Sequence, residues 1–291
     1  MPVEVESQLH AWVEYFRDLG VHDFYRSAES APPAANLEAV AHAAVVVEEP
    51  AVAVEVRPAP QGSSAKEELP TIESSDLSLA TRLLSFDKLA PLPASTVPAA
   101  ERQNALEQIR TDIGDCTRCP LAYAGRRKIV FGDGSPSARL MFVGEGPGAD
   151  EDAQGLPFVG KAGQLLNNMI GAMGLARQDV YIANIVKCRP PGNRVPEPVE
   201  ANTCSQFLLR QIDVIQPQVI VALGSTAATY LLGVRQSLSA LRGRWHSCRG
   251  AKLAVTYHPA YLLRDPRQKG EAWKDLQMVM SEMGLQPPAK K

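Results

Sequence analysis

Four short apolar segments alternate with longer, helix-compatible segments along the last two thirds of this 291-residue chain. Each apolar segment has the length of a β-strand, and the four are residues 140–143, 180–185, 219–223 and 253–256. Parallel strands need crossover connections, so this alternation predicts a parallel sheet with helices on both faces. We therefore expect an α/β fold, a three-layer α/β/α sandwich around a central, mostly parallel four-stranded sheet.

Candidate ligand-binding residues come at or just after the predicted strand ends. They are Glu145, Asn184, Gly224 and His258, and ligands of parallel sheets bind beyond the carboxyl ends of the strands.

The first strand leads into GEGPGADEDAQGLPFVGKAGQLL, residues 144–166. We interpret its start as a polar loop of roughly 18 residues before a helix, and loops of this length are usually either functional or disordered. Because this loop contains Phe158 and three acidic residues close together, we interpret it as functional. It is neither a P-loop, because Gly-Lys-Ser/Thr is missing, nor GxGxxG, because a proline interrupts the pattern.

The chain divides into an acidic part and a basic part. Residues 1–100 contain 15 acidic and 6 basic side chains, whereas residues 101–291 contain 17 acidic and 24 basic ones. A basic domain suits the phosphate backbone of a nucleic acid. Ordinary surface charge is the alternative interpretation of the same surplus.

Four regions are expected from composition and periodicity. Residues 1–26 have apolar positions at helical spacing and predict a short amphipathic helical segment. Residues 27–100 are rich in Ala, Pro and Glu and predict a largely disordered acidic linker. Residues 101–286 form the predicted folded domain, and 287–291 a C-terminal tail. Whether the N-terminal extension binds a protein partner is left open.

The sequence predicts no membrane association. No segment approaches the roughly 18 consecutive apolar residues that a bilayer crossing requires. The N-terminal residues also lack the charged region and apolar core of a secretion signal. We expect a cytoplasmic protein and, with no feature that demands a second copy, a monomer.

Four of the five cysteines have a spacing that suits a metal centre. Cys116 and Cys119 form CxxC, and Cys188 and Cys204 follow at longer intervals. Without a secretion signal, such cysteines indicate metal binding or catalysis before disulfides. Four thiolates can hold either zinc or an iron-sulfur cluster, and spacing does not decide between them. Cys248 has no partner in the pattern, and we interpret it as an ordinary free cysteine.

Two motifs carry a resemblance to a known family. GEGPGADED followed by PFVGKAGQLL, and HPAYLLR at residues 258–264, resemble motifs 1 and 2 of the family 4 uracil-DNA glycosylases. The resemblance spans residues 103–283. It implies an enzyme of base excision repair that flips uracil out of single- or double-stranded DNA and hydrolyses its N-glycosidic bond, leaving an abasic site. It also implies a 4Fe-4S cluster on Cys116, Cys119, Cys188 and Cys204.

By the same resemblance, three side chains contact the flipped base. Phe158 stacks on uracil, and the Asn184 amide donates to O4 and accepts from N3-H, a pattern that cytosine does not match. His258 stabilises the negative charge that develops on O2.

The resemblance also implies roles for the first motif. Glu145 lies in the pocket as a catalytic carboxylate, and Glu151 lines it, excluding the 5-methyl group of thymine. Backbone N-H groups of Gly144, Gly146 and Gly148 help to hold the base. Which carboxylate activates water stays open, and the two aspartates that flank Glu151 are interpreted as solvated loop charges.

Residues 261–264 are expected to form an exposed apolar and basic tip that enters DNA, with Leu263 and Arg264 as the contacting side chains. The alternative interpretation packs one of the two leucines into the core.

Two other functions remain open. One is a self-cross-linking relative, disfavoured because RGRWHSCRG at residues 242–250 lacks an extra Lys-Arg-Arg insertion. The other is a non-catalytic nucleic-acid-binding module.

Overall fold

The computed structural model describes residues 83–286. The predicted amphipathic segment at residues 1–26, the linker up to residue 82 and the tail at 287–291 lie outside the described residues.

The centre of the described fold is a six-stranded sheet with the order β1-β3-β2-β4-β6-β5. The strands are β1 (Asp133–Gly134), β2 (Leu140–Gly144), β3 (Tyr181–Asn184), β4 (Val219–Leu223), β5 (His246–Cys248) and β6 (Ala251–Thr256). Strands β3, β2, β4 and β6 are parallel, which confirms the predicted four-stranded parallel centre. Strands β1 and β5 add antiparallel edges.

Nine α-helices surround this sheet among the described residues. They are α1 (Phe86–Leu89), α2 (Arg102–Ile113), α3 (Ala149–Gln154), α4 (Lys161–Ala172), α5 (Pro198–Ile215), α6 (Ser225–Leu232), α7 (Leu238–Leu241), α8 (Pro259–Arg264) and α9 (Lys269–Met283). Shorter 3-10 turns lie at Ala99–Glu101, Pro120–Tyr123, Arg177–Asp179, Pro191–Asn193 and Pro266–Gln268. Within residues 83–286, none of the helices combines the length and the apolar composition needed to span a membrane.

The sheet is covered on both faces because alternate residues of each strand enter different cores. Along β2, Met141 and Val143 pack in one core with buried residues of α2, α5 and α6. Leu140 and Phe142 pack in the other core with buried residues of α4 and α9. Every residue of β2, β3 and β4 is buried, as expected of strands covered on both sides. The expected three-layer sandwich is therefore confirmed.

The connection after β2 is more ordered than the sequence predicts. Helix α3 occupies its first half and ends at Gly155, which has a left-handed φ of 80°. Asp152 on this helix is buried, and its carboxylate accepts the backbone N-H of Arg127 at 2.9 Å. The interpretation of Asp152 as a solvated loop charge is therefore wrong, because its carboxylate is buried against the backbone N-H groups of Arg127 and Lys128.

The folded part begins before residue 101, where the sequence analysis starts the domain. Phe86 is buried in the first core. The backbone N-H of Arg249 donates to the Asp87 carboxylate at 2.6 Å, and its guanidinium donates to the Ala90 carbonyl at 2.5 Å. Residues 86–90 therefore pack against the β5–β6 turn as part of the domain.

Candidate active site

An open cleft of about 870 Å³ lies at the carboxyl ends of the parallel strands. Seven of the nine predicted active-site and DNA-contacting residues line this cleft. They are Glu145, Gly146, Glu151, Phe158, Asn184, His258 and Arg264. Gly144 lies beneath the cleft, where a Cβ atom would collide with the Asn184 amide oxygen and come within 2.6 Å of the Phe158 ring. The absence of a side chain at Gly144 therefore makes room for both groups.

Asn184 presents an oxygen that has no partner. It is the last residue of β3 and is only 1% exposed. Among the described residues, its Oδ1 atom is buried without a hydrogen bond. A buried polar atom left unpaired costs about 1–3 kcal/mol, so a ligand that supplies an N-H donor would bind favourably here.

Lys187 holds the backbone of Asn184 in place and was not found by sequence analysis. Its ammonium is buried and donates to the Asn184 carbonyl at 3.1 Å and to Gln211 Oε1 at 2.7 Å. Burial lowers the pKa of Lys187 to about 8. The available signal was a lysine that ends an otherwise apolar segment, YIANIVK.

The Phe158 ring is held in the cleft by a strained backbone. Its φ is 52°, in the left-handed region that a bulky residue rarely adopts, at a cost of about 1–3 kcal/mol. Arg177 stabilises this conformation by donating to the Phe158 carbonyl at 3.1 Å and to the Pro157 carbonyl at 2.5 Å. The Phe158 backbone packs directly against Gly163, where a Cβ atom would overlap the Phe158 carbonyl. The ring centroid lies 5.6 Å from that of His258.

His258 faces the cleft as a neutral imidazole. It caps the N-terminus of α8, and its Nδ1 accepts the backbone N-H of Ala260 at 3.1 Å. Burial, assisted by the positive charge of Arg264, lowers the pKa of His258 to about 4. At neutral pH the single ring proton is therefore assigned to Nε2, which is a hydrogen-bond donor.

The two glutamates of the first motif have different surroundings. The Glu151 carboxylate accepts three backbone N-H groups, from Gly148 at 3.1 Å, Val159 at 2.9 Å and Gly160 at 3.1 Å. Glu151 therefore links Gly148, which precedes helix α3, to residues 159 and 160, which precede helix α4. The half-buried Glu145 lines the same cleft, and its carboxylate has no hydrogen bond or ion pair within residues 83–286.

The expected DNA-contacting tip is divided between core and surface. Leu262 is 1% exposed and packs in the protein, whereas Leu263 is 43% exposed. Arg264 is exposed and lines the cleft, but Leu263 does not. The prediction of an exposed tip therefore fails for Leu262, whose position on α8 turns it inward.

The four cysteines of the predicted metal centre line one small cavity, which is distinct from the cleft. They are Cys116, Cys119, Cys188 and Cys204. Within residues 83–286, no three His, Cys, Asp or Glu side chains are grouped closely enough to hold a metal ion as they stand. Three sulfur atoms already accept N-H groups. The Lys187 backbone donates to Cys204 at 3.3 Å, Arg126 donates to Cys188 at 3.4 Å, and Arg118 donates to Cys116 at 3.9 Å. Convergent cysteines with N-H donors directed at sulfur are compatible with thiolate ligands of a metal cluster.

The fold and the cleft define an α/β protein with an open cleft at the carboxyl edge of its parallel sheet. The profile described as the Uracil DNA glycosylase superfamily matches residues 131–277. The chain belongs to that superfamily.

Its relatives with high identity share one name. The type-4 uracil-DNA glycosylase of Thermotoga maritima is 46% identical over 168 residues, which cover 56% of this chain and 86% of the relative. Those of Pyrobaculum aerophilum and Archaeoglobus fulgidus are 42% and 38% identical, over 60% and 63% of this chain and 92% and 96% of the relatives.

Proposed function

We propose that this protein is a uracil-DNA glycosylase, which extrudes uracil from single- or double-stranded DNA and hydrolyses its N-glycosidic bond to leave an abasic site. One observation carries the proposal. The unpaired oxygen of Asn184, the neutral imidazole of His258 and the constrained Phe158 ring line a single cleft. The shared name of the relatives supports the same activity.

Base selection follows from the hydrogen-bond pattern of the pyrimidine. Uracil offers N3-H as a donor and O4 as an acceptor, so an Asn184 amide can satisfy both with its oxygen and its NH₂ group. Cytosine offers an acceptor at N3 and a donor at N4. The amide oxygen would then face another acceptor and the NH₂ group another donor, so neither hydrogen bond could form. The Phe158 ring supplies a stacking surface for the extruded base.

Bond cleavage requires stabilisation of the departing uracil. When the C1′–N1 bond breaks, its electron pair moves onto uracil and spreads to O2. The Nε2-H of His258 donates to O2, which stabilises the anion most when its charge is complete. Glu145, whose carboxylate is free of partners among the described residues, accepts the proton of the water whose oxygen bonds to C1′.

We further propose that Cys116, Cys119, Cys188 and Cys204 hold a 4Fe-4S cluster. The cavity shared by the four cysteines supports this assignment, and so do the N-H groups that reach three of the sulfur atoms. A cluster would supply a cross-link between the segment after α2 and helix α5. A zinc ion is the alternative occupant, and metal analysis distinguishes the two. We also propose that the protein acts as a monomer.

A direct test uses a labelled oligonucleotide with one uracil, followed by alkali cleavage and a denaturing gel. The wild-type protein should yield a cleaved strand, and His258→Ala and Asn184→Ala should each slow release by about a hundredfold or more, because each removes a buried hydrogen bond to the base. His246→Ala is the matched control, since His246 lies on edge strand β5 and is not among the cleft-lining residues.

Three other outcomes would contradict the proposal or part of it. Binding without release of uracil would indicate a non-catalytic nucleic-acid-binding module. Protein that stays attached to DNA after denaturation would indicate the self-cross-linking reaction. Unchanged rates in both variants would refute the assigned residues but not the reaction.

A further inference from the structure

Three planar groups form a stack, and the two aromatic ones line one wall of the cleft. The Arg242 guanidinium carbon lies 4.1 Å from the centroid of the Tyr257 ring. The Tyr257 and Tyr261 rings are stacked in turn, with centroids 5.2 Å apart and an angle of 18° between their planes. Both tyrosines line the cleft and lie on either side of His258 in the sequence. The mechanism proposed above uses none of these three side chains.

The inner end of the stack is fixed by two carboxylates. Arg242 donates to Asp275 at 2.7 Å and lies 3.8 Å from Glu271, and Asp275 is itself buried. An arginine bound to a buried carboxylate does not swing into solvent, because it would leave that charge unpaired. Tyr257 is therefore held between Arg242 and Tyr261, and its cation–π contact stabilises the arrangement further.

The outer end of the stack is Tyr261. It is half-buried, and no second ring among the described residues contacts it. It lies on α8 three residues before Arg264, so the two side chains emerge from the same side of the helix. Both line the cleft. An aromatic face beside an arginine is the combination with which proteins bind a nucleobase and its adjoining phosphate in single-stranded nucleic acid.

We propose that Tyr261, supported by Tyr257 and Arg242, is a stacking site for the nucleobase next to the extruded uracil on the same strand, with Arg264 contacting the phosphate between the two. The inference rests on the proposed glycosylase function. Extruding a base deprives its neighbour of a stacking partner, and a second aromatic surface in the cleft restores that interaction. Every base has a π-face, so the site would tolerate any neighbour.

The experiment compares single-stranded substrates that differ only beside the uracil. In one, the neighbouring nucleotide on the 5′ side is replaced by a tetrahydrofuran spacer, which keeps the phosphate and removes the base. In the other, the 3′ neighbour is replaced. For the wild-type protein, one of the two replacements should raise KM about tenfold with little change in kcat, the size expected for one lost base–aromatic stack.

Variants at Tyr261 assign this effect to its ring. Tyr261→Leu should raise KM for the ordinary substrate by the same factor and abolish the further effect of the spacer. Tyr261→Phe should behave as wild type. Tyr123→Leu is the matched control, because Tyr123 is 78% exposed and does not line the cleft. Thermal unfolding of each variant checks that its fold is retained.

Two results would overturn the inference while uracil release itself persists. One is a wild-type protein for which neither spacer changes KM, a comparison that needs no variant to fold. The other is a Tyr261→Leu protein that keeps the full spacer effect. Failure of the wild-type protein to release uracil from the ordinary substrate would contradict the glycosylase proposal instead.

Discussion

The Nδ1 atom of His258 accepts a hydrogen bond from the backbone N-H of Ala260, 3.1 Å away. The same side chain therefore caps helix α8 and faces the cleft. Because the cap occupies Nδ1 as an acceptor, the ring proton is carried by Nε2. The start of the helix thus sets the tautomer that the proposed chemistry needs.

This arrangement predicts an unusual pH dependence for His258. Its pKa is lowered from 6.5 to about 4 by burial and by Arg264. An NMR titration of the imidazole should therefore show no protonation between pH 7 and 5, and uracil release should not decline through His258 in that range. Between pH 6.5 and about 4 the unfolded chain binds a proton that the folded chain does not, so the contribution of His258 to stability falls as pH falls. A His258 titration near pH 6.5 would contradict this prediction.

Substituting the two glutamates separately should separate folding from chemistry. Glu151→Gln replaces a carboxylate that accepts three N-H groups by an amide with one oxygen. We expect it to lower the free energy of unfolding by about 1–3 kcal/mol and to slow uracil release. Glu145→Gln should slow release without changing stability, since no partner among the described residues is lost. Urea unfolding and the oligonucleotide assay measure both effects, and identical profiles would refute the distinction.

The strands of the sheet could be predicted where apolar runs are continuous. Residues 219–223 were expected as a strand and form β4 with those bounds. Strands β1 and β5 were not predicted, because strands of two and three residues are too short to show an alternation of apolar and polar residues. In β1, Gly134 has a φ of 128°, and a Cβ there would overlap the Val180 carbonyl, a constraint that only the folded chain reveals.

Helix α3 shows a second limit of sequence patterns. Its residues, ADEDAQ, have no apolar periodicity. The helix instead depends on Glu151, which accepts the N-H of Gly148 at the N-cap, and on acidic residues near the positive end of the helix dipole. These local signals were read as loop composition.

Residues that line the cleft were easier to predict than the residues that hold them in place. Asn184 and His258 follow strands, so their position at the carboxyl edge of the sheet follows from topology. Arg177 could not be found in this way, because it acts on backbone carbonyls of a segment 19 residues earlier. Contacts to the backbone leave no pattern in side-chain identity.

Arg177 is expected to act on uracil release through the Phe158 ring. Arg177→Gln removes two hydrogen bonds to the carbonyls of residues 157 and 158 and should lower kcat/KM about tenfold, because the strained Phe158 backbone relaxes. In a Phe158→Leu protein, Arg177→Gln should lower kcat/KM by a much smaller factor, because the ring that Arg177 positions is absent. Asp133→Asn is the control, because it weakens the ion pair to Arg177 but leaves both carbonyl contacts. Equal losses with and without the ring would mean that Arg177 acts only on folding.

The cysteines provide a matched pair that tests the proposed cluster. Cys188 lines the cavity shared by the other predicted ligands, whereas Cys248 is buried elsewhere. Cys248 is not among the residues that line this cavity, so it is not placed to share a metal cluster with the other four cysteines. Cys188→Ser should therefore lower the iron content and the visible absorbance of the purified protein and reduce its thermal stability. Cys248→Ser should retain full iron content. Iron that persists in Cys188→Ser, or zinc in the wild-type protein, would contradict the assignment of a 4Fe-4S cluster to these four cysteines.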